Sequence, residues 1–173
     1  VQIVTHEDGC IVFDDSVTDK NFSHKIEFVR RQYSGNAHGL IKGVGAVSCV
    51  YVNPQSGEYW IIDYRIYDPD GGGNSKLNRV RDMPINAVHH KGPPFRRVLM
   101  DTWYAKKDLT LFLESPIKTT YYCPLRSNRQ ADDTEGKSPY RQVESLHWDA
   151  ETLAHGTTIK IKGFPKHHKV KLG

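Results

Sequence analysis

Cysteine is scarce in this sequence, and its placement argues against a disulfide-built protein. The 173 residues contain only Cys10, Cys49 and Cys123, an odd number, widely spaced and without a Cys-x-x-Cys pair. A disulfide framework needs paired cysteines in an oxidising compartment. The three thiols therefore predict a reduced interior and a cytoplasmic location.

Long apolar runs and a dominant charge are also missing. No stretch approaches the roughly 20 consecutive apolar residues of a membrane-spanning helix, and the N-terminus lacks a signal-peptide pattern. The 24 Lys and Arg nearly balance the 20 Asp and Glu, so the net charge of +4 says little by itself about a polyanionic partner. We expect a soluble protein with no membrane partner. Because the chain begins at Val1 without an initiator Met, we interpret it as a piece of something longer.

Two short apolar runs that each lead into acidic residues are the most informative feature present. Residues 11–13 are followed by Asp14 and Asp15, and residues 98–100 are followed by Asp101. Apolar runs of this length are typical of buried strands, and open α/β sheets bind ligands beyond the carboxyl ends of such strands. The sequence therefore predicts two strands that end in carboxylates.

The other patterns predict a mixture of strands and helices. Residues 44–52 and 58–67 are rich in β-branched and aromatic side chains around a Pro/Gly turn, which is typical of a β-hairpin. We further expect a mostly irregular basic segment over 18–42, a helix over 76–90 that Pro84 bends or breaks near Met83, a helix over 105–114 stopped by Pro116, and a strand over 119–125.

This order of elements matches an α/β fold of the ribonuclease-H-like type, a mixed sheet with flanking helices. We place that core, which we expect to be incomplete, at residues 1–128. Residues 129–173 are then a small β-rich insertion that is truncated. Within it, short strands are predicted in residues 143–148, 157–164 and 166–172.

The aspartates that follow the two apolar runs form the candidate chemical site. Mg²⁺ takes oxygen ligands, usually one or two carboxylates with water and substrate phosphate, and a pair of such ions can clamp the oxygens of a phosphodiester. Because side chains alternate along a strand, only one of Asp14 and Asp15 can face the site beside Asp101. The competing interpretation is that strand-end aspartates only begin turns or cap helices.

Several segments resemble the catalytic domain of insertion-sequence DDE transposases. The resemblance rests on FDDSV after the first strand, on RRQYSG and WIIDYRIYDPDG, and above all on VLMDTWYA followed by YYCPLRSNR. It implies that Asp15 and Asp101 are catalytic metal ligands, with Asp14 as the alternative to Asp15. It also implies that Mg²⁺ or Mn²⁺ is the cofactor, that transposon ends and target DNA are the partners, and that the reaction is phosphodiester hydrolysis and strand transfer.

The third carboxylate of this family is a Glu on a helix beyond a β-rich insertion. Glu144 and Glu151 both lack the surrounding signature, so neither is assigned. We therefore expect the fragment by itself to bind DNA in a salt-sensitive way but to be inactive or to cleave DNA only poorly. Two alternatives stay open: an inactive transposase remnant that at most binds DNA, and a different ribonuclease-H-like nuclease with a complete site of its own.

Basic residues are candidates for DNA contacts, because phosphate contacts supply the electrostatic part of the affinity. The candidates are Arg30, Arg31, Arg126 and Arg129. Ordinary solvated surface explains each of them at least as well, and a homodimer is left open.

Three weaker patterns complete the analysis. Histidine pairs at 89–90 and 167–168 could join a cysteine in a zinc site, but their spacing fits no usual ligand pattern and favours surface histidines. The glycines at 71–73 lack the Lys-Ser/Thr of a phosphate loop and indicate a flexible connection. Trp103 and Tyr104 are expected to pack the helix that follows Asp101.

Overall fold

The computed structural model describes residues 2–22, 25–68, 76–88 and 92–173. The chain divides into two compact units between Cys123 and Pro124, whereas the sequence placed its boundary after residue 128. The histidines at 89–90 and the glycines at 71–73 lie outside the described residues.

The described residues of the first unit form six strands and two helices. They are β1 Cys10–Asp19, β2 Arg30–Ser34, β3 Gly39–Val52, β4 Tyr59–Tyr67, α1 Lys76–Asn86, β5 Arg97–Met100, α2 Lys107–Glu114 and β6 Thr120–Tyr122. The predicted hairpin is confirmed as β3 and β4, and the predicted apolar strand before Asp101 is confirmed as β5.

These strands form one mixed sheet in the order β4-β3-β1-β5-β6. β3 pairs antiparallel with both β4 and β1, while β1 pairs parallel with β5 and β5 pairs parallel with β6. The short β2 pairs antiparallel with residues 39–43 of β3. The expectation of a mixed α/β fold is confirmed at this level.

Alternation along the strands gives this sheet two different faces. In β3, every second residue from Gly43 to Tyr51 is buried, and the buried side chains join Ile11, Phe13, Val98 and Met100 in the main core. The helices contribute Val80, Met83, Ala87, Leu109, Phe112 and Leu113 to the same core. We call this side of the sheet the covered face, and the side that carries Val12 and Val50 the open face.

β1 is longer than the sequence predicts. It does not end at Phe13 but continues through Asp14 and Asp15 to Asp19, because β3 pairs with it along its whole length. A backbone partner of that length satisfies each successive N–H and C=O, so polar residues stay in the strand. The two aspartates are therefore inside β1 and not at its end.

The segment 18–42 is not the irregular excursion that its composition indicates. It contains β2, which forms a hairpin with the first residues of β3 through the turn at 35–38. The β-strand state of this polar segment comes from pairing with β3, which its own sequence pattern does not reveal.

Helix α1 is not broken at Met83. Pro84 lies inside it, and the helix continues to Asn86. Beyond it, the Gly92 amide donates to the Ala87 carbonyl at 2.8 Å. Proline removes one helical hydrogen bond, but Met83 and Pro84 are both buried, and this packing offsets that loss.

The second unit, Pro124–Gly173, has a four-stranded antiparallel sheet and one short helix. Its elements are β7 Gln130–Asp132, β8 Arg141–Gln142, α3 Ala150–His155, β9 Thr157–Ile161 and β10 Val170–Leu172, in the sheet order β10-β9-β7-β8. A small core is formed by Ala131, Leu146, Ile159 and Ile161.

The predicted strands over 157–164 and 166–172 are confirmed as β9 and β10. In the third predicted strand, over 143–148, Val143–Ser145 form a 3₁₀ turn and residues 146–148 are irregular. Helix α3 was not predicted either. Asp149 caps it by accepting a hydrogen bond from the Thr152 amide at 2.8 Å, and the Thr152 hydroxyl accepts one from the Asp149 amide at 2.9 Å. This reciprocal capping box is a local signal that the composition of the segment obscures.

No helix within the described ranges is long and apolar enough to cross a membrane.

Candidate metal centre

The candidate site lies where two parallel strands run side by side. Phe13 of β1 is paired in register with Met100 of β5. The next residue of β1 is Asp14, and the residue that directly follows β5 is Asp101. Acidic residues therefore stand at the same level where the two strands run side by side. The strand before Asp101 ends as predicted, whereas β1 continues beyond its aspartates to Asp19.

Asp14 and Asp15 face opposite sides of the sheet, as strand alternation requires. Asp15 follows Ile11 and Phe13 on the covered face, is only partly exposed, and stands opposite the fully buried Val47 of β3. Asp14 is exposed on the open face, opposite Ser48. The two carboxylates therefore meet different surroundings.

Asp101 directly follows β5 and begins a 3₁₀ turn over Thr102–Tyr104. Its side chain accepts a hydrogen bond from the Thr102 amide, so it acts as the cap of that turn. The structure thus agrees with the competing interpretation of Asp101, namely that it caps a helical turn. A carboxylate has two oxygens with several lone pairs, so capping by one oxygen is compatible with ligation by the other.

Tyr104 is a residue near the candidate site that sequence reasoning did not include. Its side chain is fully buried, and burial raises the pKa of its phenol, with further increases from Asp15, both as a negative charge and as a hydrogen-bond acceptor, and then from the charges of Asp14 and Asp101. Three carboxylates thus surround one phenol. The only sequence signal was the position of this tyrosine three residues after Asp101.

The phenol oxygen of Tyr104 makes no hydrogen bond of ordinary geometry with any described residue. A buried hydroxyl that stays unpaired costs about 1–3 kcal/mol. That cost favours a closer approach to an acceptor.

Trp103 does not pack as expected. Its side chain is 49% exposed, and the ammonium of Lys106 lies 5.6 Å from its ring centroid in a cation–π contact. Tyr104, in contrast, is buried as predicted. An exposed indole beside a cation stands on the surface immediately after the candidate aspartate.

The candidate DNA-contacting arginines fall into two pairs, one in each unit. Arg30 donates to the carbonyls of Glu27 and Val29, at 2.5 and 3.1 Å, and lies 3.7 Å from the carboxylate of Asp68. Arg31, the next residue on β2, is exposed. Arg30 thus has structural partners, and Arg31 is the more accessible cation of the first pair.

Arg126 and Arg129 belong to the second unit. The Arg129 amide donates to the Arg126 carbonyl at 2.9 Å, which closes a turn, and Arg126 is the more exposed of the two. Both cations of this pair are thus presented by one turn that precedes β7.

The donor set at the site is compatible with a hard divalent cation but is small. Asp15 and Asp101, with Asp14 as the alternative, offer carboxylate oxygens, and Mg²⁺ commonly takes one or two of these with water and phosphate. In the part of the chain that is described, no group of three or more His, Cys, Asp or Glu side chains is arranged to hold a metal ion. The residues present therefore fit a weakly held Mg²⁺ or Mn²⁺.

Among the described residues, the histidines at 167–168 belong to no group of three or more His, Cys, Asp or Glu that could hold zinc. His168 instead stacks on Phe164, with ring centroids 4.9 Å apart.

Comparisons with family models, with curated proteins and with solved structures each found no match.

Proposed function

We propose that this chain is the catalytic core of a DNA transposase of the DDE type, with Asp15 and Asp101 as metal ligands. The observation that carries the proposal is the parallel pairing of β1 with β5, in register up to Phe13 and Met100, after which β1 continues into Asp14 and Asp15 and the other chain segment into Asp101. Carboxylates that follow neighbouring parallel strands can supply oxygen ligands to one cation.

The sheet order supports the same proposal. An antiparallel series, β4-β3-β1, continues into two parallel strands, β5 and β6, with α1 and α2 packed on one face. A ribonuclease-H-like core is expected to have this mixed sheet. The additional hairpin strand β2 is a departure from the expected order.

The chemistry would be divided between the protein and the cation. Bound Mg²⁺ or Mn²⁺ would activate the attacking oxygen and stabilise the leaving oxygen of a DNA phosphodiester. Asp15 and Asp101 would hold it, and the exposed Arg31 is a candidate for contacts with DNA phosphates. Tyr104 and the surrounding core keep Asp15 partly shielded from water.

One observation favours the alternative, an inactive remnant that at most binds DNA. The described residues hold no group of three potential ligands, and the Asp101 carboxylate already caps a turn. Two metal ions are not expected to be held well by two carboxylates. Under this alternative the chain binds DNA in a salt-dependent way without cleaving it.

Nicking of a labelled DNA duplex, with Mg²⁺ and with EDTA, tests the proposal. We expect slow cleavage that requires Mg²⁺ and is abolished by Asp15→Asn and by Asp101→Asn. Asp108→Asn, on the exposed first turn of α2, is the matched control and should leave cleavage unchanged.

Cleavage that survives both substitutions would overturn the site assignment. Salt-dependent DNA binding without any cleavage would favour the inactive remnant. If cleavage is efficient, Glu144→Gln and Glu151→Gln become the next variants, because both side chains are exposed carboxylates of the second unit.

A further inference from the structure

Lysines alternate with core residues along β9. Ile159 and Ile161 are buried in the core of the second unit, so Lys160 between them lies on the opposite side of the sheet. Lys162 continues this alternation: it is exposed, and its amide still donates to the Gln130 carbonyl of β7 at 3.0 Å. The strand therefore presents two cations on one side, about 6.8 Å apart along its length.

The neighbouring strand β10 repeats this arrangement. Val170 and Leu172 pack against the core, so the exposed Lys171 lies on the side opposite to it. Continued by one residue, the register of β10 on β9 puts Lys169 opposite Lys160. We call this side of the sheet the lysine face and define it by four residues: Lys160, Lys162, Lys169 and Lys171.

Two carboxylates lie beside the lysine face without cancelling its charge. Asp132 of β7 is paired in register with Lys160, but its oxygens accept three hydrogen bonds from the turn that follows, at 2.7–2.8 Å. Glu135 in that turn forms an ion pair with Lys169, with 2.6 Å between Oε1 and Nζ. Four lysines beside two carboxylates leave an excess of positive charge.

The ion pair of Glu135 shows that the lysine face attracts an anion. The hydrogen bond and charge of Lys169, and then the charges of Lys160 and Lys137, lower the pKa of the Glu135 carboxyl. The Glu135 side chain is 72% exposed, and exposed ion pairs contribute little to stability because water screens both charges. A phosphate group that binds Lys169 therefore replaces this carboxylate at little cost.

The neutral neighbours of the lysines are polar. The uncharged strand residues on this side of the sheet are Thr158, Gln130 and Gln142. Lysine, threonine and glutamine side chains commonly donate to the phosphate oxygens of DNA. Surfaces that enter a membrane interface instead have large apolar and aromatic side chains beside their cations. The composition of the lysine face thus favours a nucleic-acid backbone over a lipid surface.

We propose that the lysine face binds the sugar-phosphate backbone of DNA, and that Glu135 occupies part of this face in the free protein. The inference rests on the proposed function, in which DNA is the substrate, and adds a binding surface that the second unit makes by itself. Backbone contacts carry no sequence information and release counterions. The lysine face therefore binds DNA of any sequence with an affinity that falls steeply with salt.

Fluorescence anisotropy of a labelled DNA duplex, titrated with the whole chain in EDTA at several salt concentrations, tests the proposal. We expect Lys162→Gln and Lys171→Gln each to weaken binding about fivefold at about 0.1 M salt and to reduce the salt slope by about 1. Lys118→Gln is the matched control, because it removes the same charge from an exposed position in the first unit. It should leave the affinity and the salt slope unchanged.

Glu135→Gln has an expected effect of the opposite sign. Removing this carboxylate leaves Lys169 to the DNA, so binding should become about threefold tighter. A variant that only disturbed folding would bind more weakly, so the gain cannot come from misfolding. Unchanged affinity in Glu135→Gln would overturn its assignment as an occupant of the lysine face.

Wild-type affinity in both lysine variants, with binding lost instead in Arg126→Gln, overturns the lysine face and assigns DNA to another surface. Polyglutamate that competes as well as DNA at equal charge overturns the assignment to a sugar-phosphate backbone. These titrations contain no metal ion, so their failure is separate from that of the nicking assay. Lysine variants that bind like the wild type, together with cleavage that requires Asp15, overturn this inference and leave the proposed function standing.

Discussion

The two faces of the first unit's sheet carry similar apolar side chains but differ in what covers them. On the covered face, Ile11, Phe13, Val47, Cys49 and Tyr51 are buried beneath α1 and α2. On the open face, strand register aligns one apolar row across five strands: Tyr122, Leu99, Val12, Val50 and Ile61. Ile61 at the end of that row is 67% exposed and Tyr122 at the other end is 56% exposed.

This difference shows what an apolar strand pattern leaves open. Continuous apolar strands such as Val98–Met100 are typical of parallel sheets that are covered on both faces. Here the described helices pack on one face only, so neighbouring residues of one strand meet core on one side and solvent on the other. The division also separates the acidic pair, with Asp15 on the covered face and Asp14 on the open one.

The largest expected difference between the faces is in stability. Phe13→Ala removes a side chain that is 1% exposed and should lower the free energy of unfolding by about 3–5 kcal/mol. Ile61→Ala, on the open face, should cost less than about 1 kcal/mol. Urea unfolding followed by circular dichroism measures both. Similar losses in the two variants would mean that the open face is packed as tightly as the covered one.

Thiol reactivity provides a second test, with a smaller expected effect. Cys49 is fully buried on the covered face, while Cys10 is partly exposed on the open face. We expect Cys49 to react with a thiol reagent about a hundredfold more slowly than Cys10, since it reacts only when the structure opens. Mass spectrometry of the labelled peptides assigns each rate and keeps Cys123 separate.

The pH dependence of the Cys10 reaction follows from its surroundings. Burial raises the pKa of its thiol, and the nearby charge of Arg97 partly opposes that rise. Because the thiolate is the reacting form, the rate should still be rising at pH values where an ordinary free cysteine has reached its plateau. Equal rates for Cys10 and Cys49 would contradict the division of the two faces.

The smallest expected effect concerns the two neighbouring aspartates. Asp15→Asn should weaken Mn²⁺ binding about tenfold, and Asp14→Asn less than about threefold, because only Asp15 shares the covered face with Tyr104. Mn²⁺ titration followed by paramagnetic broadening measures both changes. The reverse order would assign the site to Asp14 and to the open face.

Local chemistry in the sequence was sufficient for several elements. The Pro/Gly turn between β3 and β4 marks that hairpin, because a turn depends on its own few residues. Pro116 follows the end of α2 at Glu114, and Asp101 directly follows β5, both as predicted. The strands β9 and β10 were likewise predicted from their alternating side chains.

Other elements depend on partners that are distant in the chain. The extension of β1 to Asp19 and the formation of β2 both come from β3, which satisfies their backbone groups across the sheet. The continuation of α1 through Pro84 depends on burial of that turn. In each case composition indicated an ending or an irregular segment. The structure differs because residue preferences are weaker than tertiary pairing and packing.

The candidate site likewise combines features that the sequence determines with features that only the tertiary structure decides. The sequence by itself determined which residues are acidic and that apolar strands lead into them, so Asp15 and Asp101 could be named. Only the tertiary structure decided that β1 and β5 are parallel neighbours, that Asp15 lies on the covered face and that Tyr104 is buried in the core. The physical reason is that a side chain's chemistry belongs to one residue, whereas its orientation and its neighbours depend on strand register and burial, which join residues more than eighty positions apart.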